Sequence, residues 1–295
     1  MGLNTEYIGY KTEVSSEVID KDSVLSYLSS IGSTNSFYSD KNVAPHMFNV
    51  VQEIALVESI WKMEDLYESR EEMNRSVLML VHGEQTMNFS RMIKFGERIN
   101  SHAAIESIQQ KGLNNILKLK VLHVDSNNIE VADSSWTLFI RASESEIAKA
   151  KEMKKNEPAK PKTAPKEPAP EPNYCFQGSF NVDEGITYKY AEASRDKNPI
   201  HIDDETAKKA GLKGIIVHGL CTMAMTVDNI VDEYLNHNPE KISSVSLRFS
   251  SPVWPGDILK VKGWAPDEDS SVLRFEVENN SNIKVIKSGK LKIKD

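Results

Sequence analysis

Cysteine is scarce in this chain: Cys175 and Cys221 are the only two in 295 residues, far apart and without metal-ligand spacing. That argues against a disulfide framework and a thiolate zinc site, and makes a reducing cytoplasm the expected compartment. Long apolar runs are missing too. No stretch approaches the roughly 20 residues that span a bilayer, and the opening MGLNTEYIGYKTEV lacks a basic start followed by an apolar run. Neither a targeting signal nor a membrane partner is therefore expected, and Glu6 stands where a myristoylation start would want Ser or Thr. A Gly-rich phosphate loop and a dinucleotide fingerprint are absent, so no nicotinamide or nucleotide cofactor is expected. Basic charge is in deficit: a net charge of −7 disfavours a nucleic-acid partner, because phosphate-backbone binding draws on clustered Lys and Arg.

What is present is an ordinary globular balance, 39% hydrophobic and 27% charged, long enough for two domains. Residues 142–173 break it: Lys, Glu, Ala and Pro dominate, and half of the chain's 12 prolines fall between Pro158 and Pro172. This is linker composition with a polyproline II tendency. It divides the chain into an N-terminal domain, 1–141, and a C-terminal domain, 174–295.

The two parts echo each other. Phe89-Ser90 followed by Gly96-Glu97 recurs 160 residues later as Phe249-Ser250 followed by Gly256-Asp257, which points to an internal duplication. In the second part, Leu220, Met223, Val227, Ile230, Val231 and Tyr234 keep one face at helical period, and four strand-like runs follow between 245 and 294. In the first, Val50, Ile54, Val57 and Trp61 mark a helix, and 76–90, 116–126 and 134–142 read as strands. One long helix wrapped by an antiparallel sheet, made twice, is an α+β fold, and the two sheets can join edge to edge.

The chemistry concentrates in Asp196-Lys197-Asn198-Pro199-Ile200-His201 and Val217-His218-Gly219. Pro199 fixes its own φ and pushes Asn198 out of the α region, so an extended loop is expected that aims Asp196 and His201 at one point. A carboxylate and an imidazole sharing a water can remove a proton and return one, with the Asn198 amide orienting either. Gly219, at the apparent start of the long helix, offers an unpaired backbone N–H to a developing oxyanion. His218 reads as structural, Cys221 as a small buried hydrophobe, and the Asp40-Lys41-Asn42…His46 echo as chance. Lys208, Lys209, Lys213 and Arg248 are candidate cations for substrate phosphates, with solvated surface charge as the alternative.

The segment YAEASRDKNPIHIDDETAKKAGLKGIIVHGLCTMAM resembles the hydratase motif of the MaoC-like, or type 2 enoyl-CoA hydratase, family, and RFSSPVWPGD from Arg248 to Asp257 resembles its strand-and-turn signature. The resemblance covers roughly 174–295. It implies a hot-dog fold, Asp196 and His201 as the catalytic pair, Asn198 in the site and the Gly219 N–H in the oxyanion hole. The implied reaction is reversible hydration of a trans-2-enoyl thioester to the (3R)-3-hydroxyacyl product, with coenzyme A entering as part of the substrate and no separate cofactor or metal. Through His82-Gly83-Glu84-Gln85 and Ala44-Pro45-His46, the first part resembles the degenerate hot dog of two-domain members, so a double hot dog is expected, a pseudo-dimer able to pair again as a homodimer. In it the inactive half shapes the acyl tunnel. An acyl-carrier-protein dehydratase, a hot-dog thioesterase and a non-catalytic acyl-binding subunit remain alternatives.

Overall fold

Alternation at period two builds the sheet: Leu117, Leu119, Val121 and His123 in the NNILKLKVLHVD run are all fully buried on one face, while the intervening side chains are partly or fully exposed. In the computed structural model, which describes residues 2–142, 147, 148, 152, 171–265 and 271–294, ten such strands form one antiparallel sheet. They are β1 (Ser15–Val18), β2 (Leu80–Phe89), β3 (Arg98–Lys111), β4 (Asn114–Asp125), β5 (Glu130–Ile140), β6 (Phe176–Asn181), β7 (Ile242–Phe249), β8 (Ile258–Trp264), β9 (Val272–Glu278) and β10 (Lys284–Ile293). Most of the segment 142–173 lies outside the described residues.

The strand order, β1-β3-β4-β5-β2-β7-β10-β9-β8-β6, reads the same topology from either end. The halves meet where β2 pairs with β7, Glu84 opposite Arg248 and Asn88 opposite Ser244. Each half therefore covers an edge the other would leave open. The duplication extends to individual bonds. Gly96 N–H donates to Ile19 O at 2.8 Å and Gly256 N–H to Val182 O at 2.9 Å, with both glycines at positive φ. Likewise Ala44 N–H donates to Ile93 O at 2.8 Å and Val217 N–H to Val253 O at 2.9 Å. Tyr27 and Tyr190, each eight residues past the matched Ile19 and Val182, bring their rings together at 5.7 Å between the halves.

A central helix lies against each half-sheet, Val50–Trp61 in the first and Gly219–Glu233 in the second. Together they are the double hot dog that the sequence implied. The second helix buries Leu220, Met223, Val227, Ile230 and Val231 on one face, the 3.6-residue stripe read from sequence. In the first half, residues 76–79 end the helix Arg70–Met79 instead of starting the strand. Ser69 caps that helix by accepting from Glu72 N–H, and Glu71 and Glu72 suit its first turn.

The loop after the first helix (Lys21–Ser30) also joins the halves: Ser33 Oγ donates to Asp228 Oδ1 at 2.8 Å on the second central helix. Burial pushes the Asp228 carboxyl up to about 6. A raised folded-state value means that the folded protein holds the proton more tightly, so ionised Asp228 costs stability above pH 6 and nothing below the ordinary carboxylate range. We expect Asp228→Asn, which keeps an acceptor for Ser33, to gain about 3 kcal/mol at pH 8 and under about 1 kcal/mol at pH 4. Denaturant unfolding at the two pH values checks this, and an equal shift at both would contradict it.

Candidate active site

The chain leaves the helix Ile186–Ser194 through Arg195, whose backbone is left-handed at φ +67°. Arg195 is held there by an ion pair from its guanidinium to Glu17 of the first half at 2.8 Å. Asp196 N–H then donates to Ser194 Oγ at 3.2 Å, and Asn198 N–H to Asp196 Oδ1 at 3.2 Å. Beyond this point the chain tightens into a short 3-10 turn, Pro199–His201, where sequence reasoning expected extended backbone throughout. The cause is local: proline at the first position is already set for the turn, and Asn198 Oδ1 caps it by accepting from Ile200 N–H at 3.3 Å. The Asn198 side-chain oxygen is thus committed to the backbone of its own loop.

His201 Nδ1–H donates to Ile216 O at 2.8 Å, so the neutral ring offers Nε2 as a bare acceptor. His218 Nε2–H donates to the Asp196 carbonyl at 3.0 Å, and its ring stacks on His201 with centroids 3.8 Å apart. His218 therefore ties the loop to the start of the central helix, the structural part read for it. Burial raises the Asp196 carboxyl above the usual range, with the positive form of His201 opposing the rise. Burial also lowers His201, with Asp196 opposing the fall. Both shifts favour the uncharged forms; each group's attraction to the other's charge holds back part of the change.

Asp196, Asn198, His201, Gly219 and Arg248 all line one cavity of about 490 Å³, a volume suited to a small-molecule ligand. Gly219 opens the helix Gly219–Glu233, where first-turn N–H groups have no partner within the helix and the dipole favours negative charge. A Cβ there would lie 3.2 Å from the Phe249 ring, so glycine keeps this wall open. Lys208, Lys209 and Lys213 are not brought to the cavity. Lys208 and Lys209 sit on the helix Asp204–Lys209, paired with Asp204 and Glu205 one turn back, and Lys213 is exposed.

Sequence reasoning expected the other half to shape the cavity but did not identify the residues that do so. Trp61, Leu80, His82, Trp136, Phe139 and Arg141 line the same cavity, and the HGEQ segment was their one legible signal. The His82 ring lies parallel to the Trp136 indole, 4.5 Å away, and edge-on to Phe249 at 5.0 Å.

The matched bonds also show what occupies the corresponding place in the first half. If Ala44 corresponds to Val217, then His46 stands where Gly219 does, and Phe89 where Phe249 does. The His46 imidazole stacks on Phe89 at 4.2 Å and fills the space that glycine leaves open, and the void beside it is about 10 Å³. Its counterpart is thus Gly219, not His201, and the echo with Asp40 carries no chemistry.

Asp196, His201 and His218 could each present a ligand atom within 4.8 Å of the others. An ion bound at about 2.1 Å lies in the plane of each ring that ligates it. The His201 and His218 rings, stacked at 3.8 Å and inclined by only 29°, share no such point within reach. The cluster does not fit a metal centre.

This arrangement defines a double hot-dog protein with one cavity shared by two unequal halves. Comparison of the sequence gives its kinship: residues 165–285 match the family model described as the MaoC like domain, and 6–134 match the FAS1-like dehydratase domain region. The chain thus carries a MaoC-like dehydratase domain in its second half and a FAS1-like dehydratase region in its first. It is 29% identical over 187 residues to the peroxisomal multifunctional enzyme type 2 of Drosophila melanogaster, covering 63% of this chain and 30% of that protein. To the probable enoyl-CoA hydratase 2 of Dictyostelium discoideum it is 26% identical over 213 residues, 72% of this chain and 69% of that protein. The chain thus spans under a third of the first relative's length and about two thirds of the second's. The crystal structure of a MaoC-like dehydratase from Phytophthora capsici shares the fold, with a TM-score of 0.79 at 21% identity over 99% of this chain and 98% of that one.

Proposed function

We propose that the protein reversibly hydrates a trans-2-enoyl-CoA to the (3R)-3-hydroxyacyl-CoA. The observation that carries this reading is the bare His201 Nε2 and the Asp196 carboxylate lining one mostly apolar cavity with the unpaired N–H groups at Gly219. A water held between Asp196 and His201 loses a proton to the pair as its oxygen bonds to C3. Electron density moves through C2 to the thioester oxygen, where the Gly219 N–H stabilises it. The pair then returns a proton to C2, so all atoms come from water and enoyl thioester, and no separate cofactor takes part. Arg248 and Arg141, which line the cavity and have no carboxylate partner among the described residues, suit the phosphates of the carrier.

Incubation with crotonyl-CoA and with trans-2-decenoyl-CoA tests this: the enoyl absorbance should fall and a 3R-hydroxyacyl-CoA accumulate. Release of free thiol with the acyl group unchanged would replace the reading with a thioesterase. Turnover only on the acyl-carrier-protein thioester would move it to a carrier-protein dehydratase.

A further inference from the structure

The HGEQ segment is not used by the reaction as proposed, yet its four residues form one device. Gly83 is an extra residue in β2: His82 pairs with Leu138 and Glu84 with Thr137, so a bulge lies between them. A Cβ on Gly83 would meet the Phe139 ring at 2.2 Å, so only glycine fits. Bulges re-aim side chains, and this one turns the His82 ring onto Trp136 at the cavity wall. Next to it, Glu84 O and Gln85 Oε1 accept from His82 Nε2–H at 3.2 and 3.0 Å. With the proton fixed on Nε2, Nδ1 is a bare acceptor with no partner among the described residues. Burial lowers this imidazole to about 4, so it stays neutral at working pH.

An acceptor on the wall of a thioester site calls for a donor on the ligand. The enoyl group has none, whereas the pantetheine arm carries amide N–H groups. The wall residues order the path: Phe249, against Gly219, meets the edge of His82, and β2 continues from His82 back to Leu80, opposite Ile140 and beside Arg141. A thioester whose carbonyl sits at Gly219 passes His82 before its anionic end reaches Arg141.

We propose that His82 Nδ1 accepts a hydrogen bond from an amide N–H of the pantetheine arm, so that the first half holds the carrier while the second performs the hydration. This rests on the hydratase reading above.

The test compares three crotonyl thioesters on the full chain: crotonyl-CoA, crotonyl-S-N-acetylcysteamine with one amide, and the S-butyl thioester with none. His82→Phe keeps the stack on Trp136 and removes the acceptor. It should lower kcat/KM about tenfold on the two amide-bearing substrates, mostly through KM, because a ligand donor is left unpaired. The S-butyl thioester should be unaffected. His82→Asn, which restores an acceptor near the position of Nδ1, should recover much of the loss, and unchanged melting temperatures show that the fold is intact. Equal losses on all three substrates, or no loss on any, would overturn the assignment. If the unmodified protein hydrates none of them, the hydratase reading has failed instead.

Discussion

Asp196→Asn is expected to lower kcat for enoyl-thioester hydration about 10³-fold, His201→Ala by a similar factor, and the double variant little further. Each group of a general acid–base pair typically contributes between 10² and 10⁴. In the proposed reaction Asp196 and His201 serve one water, so removing either leaves nothing for the other to complete, and the effects should not multiply. The acid limb of the pH profile should follow the same pair. In that reaction the competent form would be ionised Asp196 with neutral His201, so activity should be lost as pH falls and the pair takes up a shared proton. Burial raises Asp196, which places that limb above the ordinary carboxylate value of about 4. His82, lowered to about 4, stays neutral over most of the range above it. Asp196→Asn removes the charge that props His201 up, so the residual activity of this variant should have its acid limb shifted down. Steady-state kinetics from pH 4 to 8 decide the matter. A double variant slower than the singles by the product of their factors would separate the two residues into independent roles.

The site in the second half was legible because it is local. Asp196, Asn198 and His201 occupy one turn, and Gly219 follows within the same unit, so spacing alone brings them near each other. A wall from the first half was expected, but its residues were not legible. His82 and Trp136 meet through strand pairing over 54 residues, and they reach the second half only once β2 pairs with β7. Strand β3 escaped for another reason: its buried face is Ile99, Ser101, Ala103 and Ile105, and two of those are small or polar, so the alternation carries little apolar contrast. The echo of 160 residues was real, yet it could not reveal what filled the first half's cavity. Tyr27 and Ala44 are 17 residues apart, whereas Tyr190 and Val217 are 27 apart. The Asp196–His201 turn lies within this longer stretch, so a constant offset cannot align His46 with Gly219.

Glu53→Ala should destabilise the protein by about 3–5 kcal/mol, because it strands buried hydrogen-bond donors and leaves a cavity. Glu53 lies fully buried on the first central helix and accepts from Trp136 Nε1–H at 2.5 Å and from His123 Nε2–H at 2.9 Å. With that proton committed, His123 Nδ1 accepts from Ser101 Oγ–H at 2.7 Å. The acid, imidazole and hydroxyl follow the order of a hydrolytic triad, but all three are sealed from solvent, so their effect is on packing. Alanine would strand two buried donors and leave a void beside them, and each stranded donor costs about 1–3 kcal/mol. Glu53→Gln keeps the shape and one acceptor, so its loss should be about half. The damage should also reach the cavity. Trp136 is fixed by Glu53 on its ring N–H and stacks on His82 with its face, so loosening it should raise KM for enoyl thioesters while Asp196 and His201 are untouched. Urea unfolding followed by tryptophan fluorescence measures the first effect and initial rates the second. A Glu53→Ala protein within 1 kcal/mol of the parent would mean that the network stabilises little, and that the Trp136 wall stands on its apolar packing alone.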